Sequence, residues 1–140
     1  MNDTDAIVFF RSGELLLALP CTETREIRRQ TTGLIPLPLS PEGVAGILNL
    51  RGSVITVLSL DFLLQQDRSH ESQILIIRNE DEDIGLLIDE VLDIAASPAM
   101  EALPAHLPEK LKRHLQGLLR MPDGQLACLL RCSSLLETVK

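Results

Sequence analysis

Residues 41–60 read PEGVAGILNLRGSVITVLSL, and the grammar of this stretch decides the fold class. Two apolar runs, ILNL at 47–50 and VITVL at 54–58, flank Arg51-Gly52, so they read as two strands joined by a tight turn. Gly52 supplies the backbone freedom the turn needs, and Leu50 anchors inward. Arg51 then stands on a rigid platform, where its guanidinium can bind a carboxylate or backbone carbonyls. Those acceptors belong either to a partner or to a neighbouring strand of the same chain. A short helix is expected over 61–66.

The same grammar extends outward in both directions. Upstream, Ile35-Pro36-Leu37-Pro38 and Ser40-Pro41 cannot lie inside a central strand, because proline donates no ladder hydrogen bond. They read as a connector crossing one end of a barrel. Residues 22–29, TETREIRR, carry one apolar side chain, Ile27, and form either an exposed strand or a helical turn. Residues 6–11 and 15–20 flank Ser12-Gly13-Glu14, a short connection suited to a hairpin.

Downstream, the polar stretch QQDRSHES (65–72) is the expected crossing between two halves. Residues 74–78 and 84–88 flank the acidic run 79–83, which lacks the spaced ligands, central glycine and closing glutamate of a calcium loop and reads as a solvated hairpin tip. Residues 90–95 extend this second set of strands. The segment 96–108, with Pro98, Pro104 and Pro108, is a further connector. Residues 109–116 place apolar groups at 111 and 115 on one helical face. A last strand at 126–131 leads into a short C-terminal helix beginning near Ser133 or Ser134. The spacing predicts two small barrels packed together, with the crossing near 65–73.

Composition narrows the function. Of 140 residues, 45% are hydrophobic, enough for a core, and that core must be aliphatic because Phe9, Phe10 and Phe62 are the whole aromatic complement. Few rings and a net charge of −7 argue against binding nucleic acid by base stacking or phosphate contact. Cys21, Cys128 and Cys132 form no paired CxxC and are read as buried structural thiols. The N-terminal MNDTDAIVFF has no basic n-region, and the apolar runs are too short to span a bilayer, so a cytoplasmic location is expected.

No catalytic constellation emerges. His70, His106 and His114 lack metal-ligand spacing and are read as surface histidines. Gly43, Gly46 and Gly52 fall close together without a Gly-Lys-Ser/Thr, so backbone geometry explains them better than phosphate binding. Asp89 and Asp93 would share one strand face with Glu90 opposite, a pattern assigned to a solvent-facing edge. No enzyme activity, cofactor or metal is expected.

Residues 41–60 resemble the hallmark of the CheW-like family of chemotaxis coupling proteins: a proline-led turn, a strand ending in Asn-Leu-Arg-Gly, a second strand and a short helix. Further pieces follow in the family's order. They are the strand pair around Phe9 and Leu17, Arg25-Glu26-Ile27-Arg28, the run from Ile84 through Val91 with Asp93, and Gly117 with LACLLRCSSLL. Thr56 and Ser59 stand where the family often has proline and aspartate, Arg131 where it often has aspartate, and Thr24-Arg25 where it has Val-Gln.

The resemblance implies a single domain over 1–140, built of two interleaved, five-stranded SH3-like barrels around a shared hydrophobic core. It implies a non-catalytic adaptor, a monomer on its own, coupling the cytoplasmic tip of methyl-accepting chemoreceptors to the regulatory domain of a CheA-type histidine kinase. Glu26 matches a position associated with kinase contact. Arg51 and Asn49 belong to the turn motif, and Val44, Ile47 and Val57 are aliphatic candidates for a receptor-binding surface. A single-partner module of a divergent pathway (pili, gliding or biofilm) is the alternative, and a small-ligand-binding barrel a distant third.

Overall fold

A computed structural model describes residues 6–67, 70–96 and 99–137. The chain forms β1 (Ala6–Ser12), β2 (Leu15–Pro20), β3 (Thr24–Arg28), β4 (Leu34–Pro36), β5 (Val44–Leu50), β6 (Ser53–Ser59), α1 (Leu60–Leu63), β7 (Gln73–Asn79), β8 (Glu82–Ile88), β9 (Glu90–Ala96), α2 (Glu109–Lys112), β10 (Leu115–Arg120), β11 (Leu126–Leu130) and α3 (Cys132–Glu137). The strands make two sheets, ordered β10-β11-β2-β1-β9 and β3-β7-β8-β6-β5-β4. Most pairings are antiparallel, while β11 lies parallel to β2 and β6 parallel to β8.

Strand alternation explains how so many consecutive apolar residues are used. On β1, Val8 and Phe10 enter one cluster of buried side chains while Ile7 and Phe9 enter another. On β7, Leu75 and Ile77 join the same first cluster, and Ile74 and Ile76 face the opposite way. Successive side chains point to opposite faces of a sheet, so a continuous apolar run marks a strand covered on both sides. Among the described residues, each sheet thus encloses a core of its own, and a third cluster fills the seam between them. No helix among the described residues is long and apolar enough to cross a membrane.

Several expectations need correction. The second sheet has six strands rather than five, because Leu34–Pro36 is not a free connector but an edge strand on β5. Its proline is tolerated because an edge strand need not donate on its outer side. The stretch 65–73 joins α1 to β7 within one sheet; the chain passes between sheets at residues 21–23 and again at Asp89. Polarity there marked a surface connection, not a change of sheet. Residues 90–96 therefore extend the first sheet through β1, not the second.

The expected helix over 109–116 stops at Lys112, since Leu115 already pairs with Leu130. The helix expected over 61–66 is Leu60–Leu63, with Ser59 Oγ accepting from the Phe62 N–H at 3.1 Å, and the last helix starts at Cys132, ahead of both serines. Residues 1–5, residues 68–69 of the expected crossing and Pro98 of the later connector lie outside the described residues.

Candidate functional site

The turn between β5 and β6 has the geometry its sequence demands. Leu50 pairs with Ser53, leaving Arg51 and Gly52 as a two-residue loop with φ of 50° and 91°. Both values are positive, as a type I′ hairpin requires. Asn49 Oδ1 accepts from the Gly52 N–H at 2.9 Å, which ties the loop to its own strand. Leu50 is buried beneath the turn, and the Arg51 side chain stands 70% exposed.

Arg51 finds Glu26. Its Nη2 lies 3.3 Å from Glu26 Oε1, a contact close enough for charge pairing but without hydrogen-bond alignment. Glu26 Oε2 accepts a well-formed bond from Arg28 Nε at 2.8 Å. Glu26 sits on β3 opposite Ile76 of β7, just past a bulge, so the pair links the β3 end of the second sheet to the β5–β6 hairpin. With the arginine largely in water, though the Glu26 Oε1 it meets is buried, the pair contributes about 1 kcal/mol. The arrangement is cheap to break, and the arginine keeps donors for another acceptor.

The register places an apolar face beside this pair. Ile35, Ile47 and Thr56 stand in one cross-strand row over β4, β5 and β6, with Asn49 opposite Val54 in the next row on the same face. Residues directly opposite in an antiparallel pair share a side of the sheet. Ile35 is 55% and Val54 67% exposed, while Ile47 is half-buried between its neighbours. Sequence reading had singled out Ile47 and Asn49 but missed Ile35 and Val54.

Val57 is corrected: it is wholly buried in the second sheet's own core, so it offers a partner no surface. Strand parity contains the signal. With Leu50 inward and a two-residue turn, Ser53, Ile55 and Val57 must share Leu50's side, and Val54 and Thr56 the other. Val44 pairs with Leu58 and packs half-buried against the seam, apart from the Ile35–Val54 face.

Elsewhere, Asp89 is buried rather than solvent-facing, and His114 is buried rather than on the surface. Cys132 is buried while Cys21 and Cys128 are only half-buried; burial raises all three thiols above their ordinary range, so they stay protonated and poorly nucleophilic. Among the described residues no cluster of His, Cys, Asp or Glu is arranged to hold a metal ion. The acidic tip at 79–83 is a hairpin turn in which Asp83 pairs with Arg78 and Arg25.

The site thus comprises a turn tied by Asn49 to Gly52, a glutamate on β3 facing Arg51, and a frame of two sheets. The CheW-like domain profile matches residues 6–140. The chain belongs to the CheW-like domain family. Among CheW-like relatives, the Chemotaxis protein CheW of Thermotoga maritima is 26% identical over 135 residues, covering 95% of this chain and 88% of that protein. Protein FrzA of Myxococcus xanthus is 30% identical over 137 residues, covering 94% and 84%. The solved scaffolding protein TtCheW from Thermoanaerobacter tengcongensis superposes with a TM-score of 0.78 at 22% identity, over 91% of this chain and 84% of that one, which shows a shared fold.

Proposed function

We propose that this CheW-like chain is a non-catalytic cytoplasmic adaptor that couples the cytoplasmic tip of chemoreceptors to the regulatory domain of a CheA-type histidine kinase. The observation that carries the reading is the apolar face with Ile35 and Val54 exposed and Ile47 half-buried between strands, on the hairpin whose turn carries the Glu26–Arg51 pair. Apolar side chains left bare next to a weakly committed charge pair suit a transient protein interface: the aliphatic row supplies burial, and the charges set register and exclude wrong partners. The similarity to a chemotaxis protein and to a scaffolding protein supports the same role. The curl that brings β3 to the β5–β6 hairpin favours closure of the second sheet into an SH3-like barrel of the family's kind.

The test separates a partner-facing pair from one that serves the fold. Arg51→Glu, Glu26→Arg, the double exchange and Val54→Asp are compared with wild type for capture of a CheA-type kinase and a chemoreceptor fragment, each variant checked by circular dichroism. Arg51→Glu and Val54→Asp should stay folded, because both side chains are largely exposed. Glu26→Arg also loses the Arg28 bond and is read only where circular dichroism shows it folded. Wild type should capture both partners, and Val54→Asp and Arg51→Glu should each weaken one of them by about tenfold. The double exchange restores the internal pair, so if the partner reads these charges it folds but still binds poorly. Capture of neither partner by wild type overturns the coupling reading; capture of one leaves a single-partner module of a divergent pathway.

A further inference from the structure

A second constellation lies where the chain passes from one sheet to the other. Asp61, in the first turn of α1, is 0% exposed, and Asp89, between β8 and β9, is 2% exposed. Asp61 Oδ1 takes a short hydrogen bond from Ser12 Oγ at the end of β1. Asp89 Oδ2 accepts from Arg11 Nη1 at 3.2 Å and from the Gly13 N–H at 3.1 Å. One oxygen of each carboxyl is thereby satisfied. The others, Asp61 Oδ2 and Asp89 Oδ1, are buried with no donor among the described residues, and the consecutive residues Ser12 and Gly13 hold the two carboxyls at neighbouring positions.

The surroundings add negative charge. Glu71 Oε2 accepts from Ser59 Oγ at 2.7 Å and lies 3.4 Å from the Asp61 backbone nitrogen. Arg11 brings positive charge to Asp89 but shares it with Glu90, whose Oε1 is 2.9 Å from Nη2. Arg11, His70, Glu71, Asp89 and Glu90 also border one shallow cavity of about 550 Å3. Two ionised carboxylates held at neighbouring positions in a buried site, each with an oxygen that lacks a donor, repel and lose their hydration; a proton shared between them removes one charge and satisfies both oxygens.

We infer that Asp61 and Asp89 share a single proton through Asp61 Oδ2 and Asp89 Oδ1, and that releasing it loosens the joint between the two sheets. The chain therefore carries a pH-responsive element at the point where its halves are joined. Burial, with Glu71 and Asp89 nearby, pushes the Asp61 carboxyl up to about 6 against the opposing bond from Ser12. The sign follows from linkage. A carboxyl whose folded value lies above its unfolded one, near 4, stabilises the fold fully at low pH, and that contribution is lost as pH rises through about 6.

Carboxyl carbon titration of the full chain by NMR between pH 4 and 8 is the direct test, and it needs no variant. The Asp61 carboxyl should keep its proton until about pH 6, and its release should also move the Asp89 carboxyl carbon signal. The companion measurement is chemical denaturation of wild type and Asp61→Asn at pH 5 and 7.5. The amide of that variant donates to Asp89 Oδ1 as the proton did and cannot be titrated away. The unfolding constant of wild type relative to the variant should rise on the order of tenfold or more between the two pH values. Two carboxyls titrating independently near pH 4 overturn the shared proton, and a ratio that does not change with pH overturns its control of the joint.

Discussion

At the scale of single residues, His114 shows how burial turns an ordinary side chain into a condition on stability. It sits between α2 and β10 with Nδ1 2.8 Å from Ser134 Oγ, and that hydroxyl donates to the Arg131 carbonyl at 2.9 Å. The serine oxygen therefore accepts from Nδ1–H, leaving Nε2 to face Arg113 Nε at 3.4 Å. Burial first, and the Arg113 charge second, hold the imidazole below its usual pKa, so it stays neutral in the fold. Once unfolded, it takes a proton below about pH 6.5, which means stability falls as pH drops through that range. This opposes the Asp61 effect, and single variants separate the two. His114→Gln should cost about 1–3 kcal/mol at pH 7.5, for the lost buried bond, yet lose less further stability than wild type at pH 5.5. Equal losses in denaturant midpoint for both proteins would show that the imidazole is not held neutral. None of this was legible in the sequence. His114 lies among Lys110, Lys112 and Arg113, a charged setting that reads as surface, and Asp89 resembles any acidic strand end. Their burial is set by contacts with α3 and β1, far away in the chain. Arg51 was legible as a turn residue because Arg51-Gly52 marks the hairpin locally, whereas Glu26 was singled out by the family resemblance alone.

At the scale of elements, the hairpins were readable and the edges were not. Local chemistry fixes Arg51-Gly52 as a turn, and parity from Leu50 then assigns every residue of β6 to a face. Strand β4 is different: Leu34–Pro36 is short, proline-terminated and exposed, and only its pairing with β5 makes it a strand. Gly46 is what lets it dock. It lies opposite Pro36, and a methyl group on its Cα would sit 2.5 Å from the Ile35 carbonyl oxygen, a backbone atom with little room to move. Gly46→Ala should therefore push β4 off the sheet edge, cost about 1–3 kcal/mol and speed proteolytic nicking between residues 30 and 42 while the rest of the second sheet holds. Since Ile35 belongs to the proposed docking face, the same variant should weaken partner capture with Arg51 untouched. Unchanged midpoint and unchanged nicking would mean that β4 is held by something other than close approach at Gly46.

At the scale of the whole molecule, the seam decides whether the two sheets are one folding unit. Seam residues come from β1, β2, β6, α1, β7, β8, β10, β11 and α3, and the strands that alternate between seam and inner core tie each sheet's interior to the other's. Leu75 on β7 is wholly buried in the seam, between Ile74 and Ile76 that face its own sheet's core. Truncating it removes contacts belonging to both halves, because a close-packed interior relaxes only partly around a void. Leu75→Ala should cost about 2–5 kcal/mol. If the seam makes the molecule cooperative, native-state hydrogen exchange will show that cost equally at the slowest amides of β1 and β2 and at those of β7 and β8. Unfolding by denaturant will then remain a single transition for every probe. A loss confined to β7 and β8 would instead describe two separately stable sheets that happen to touch. An adaptor of that kind would hold its Ile35–Val54 face in a sheet free to move against the other. The shared seam argues for one rigid body, in which whatever docks on the second sheet meets a fixed geometry in the first.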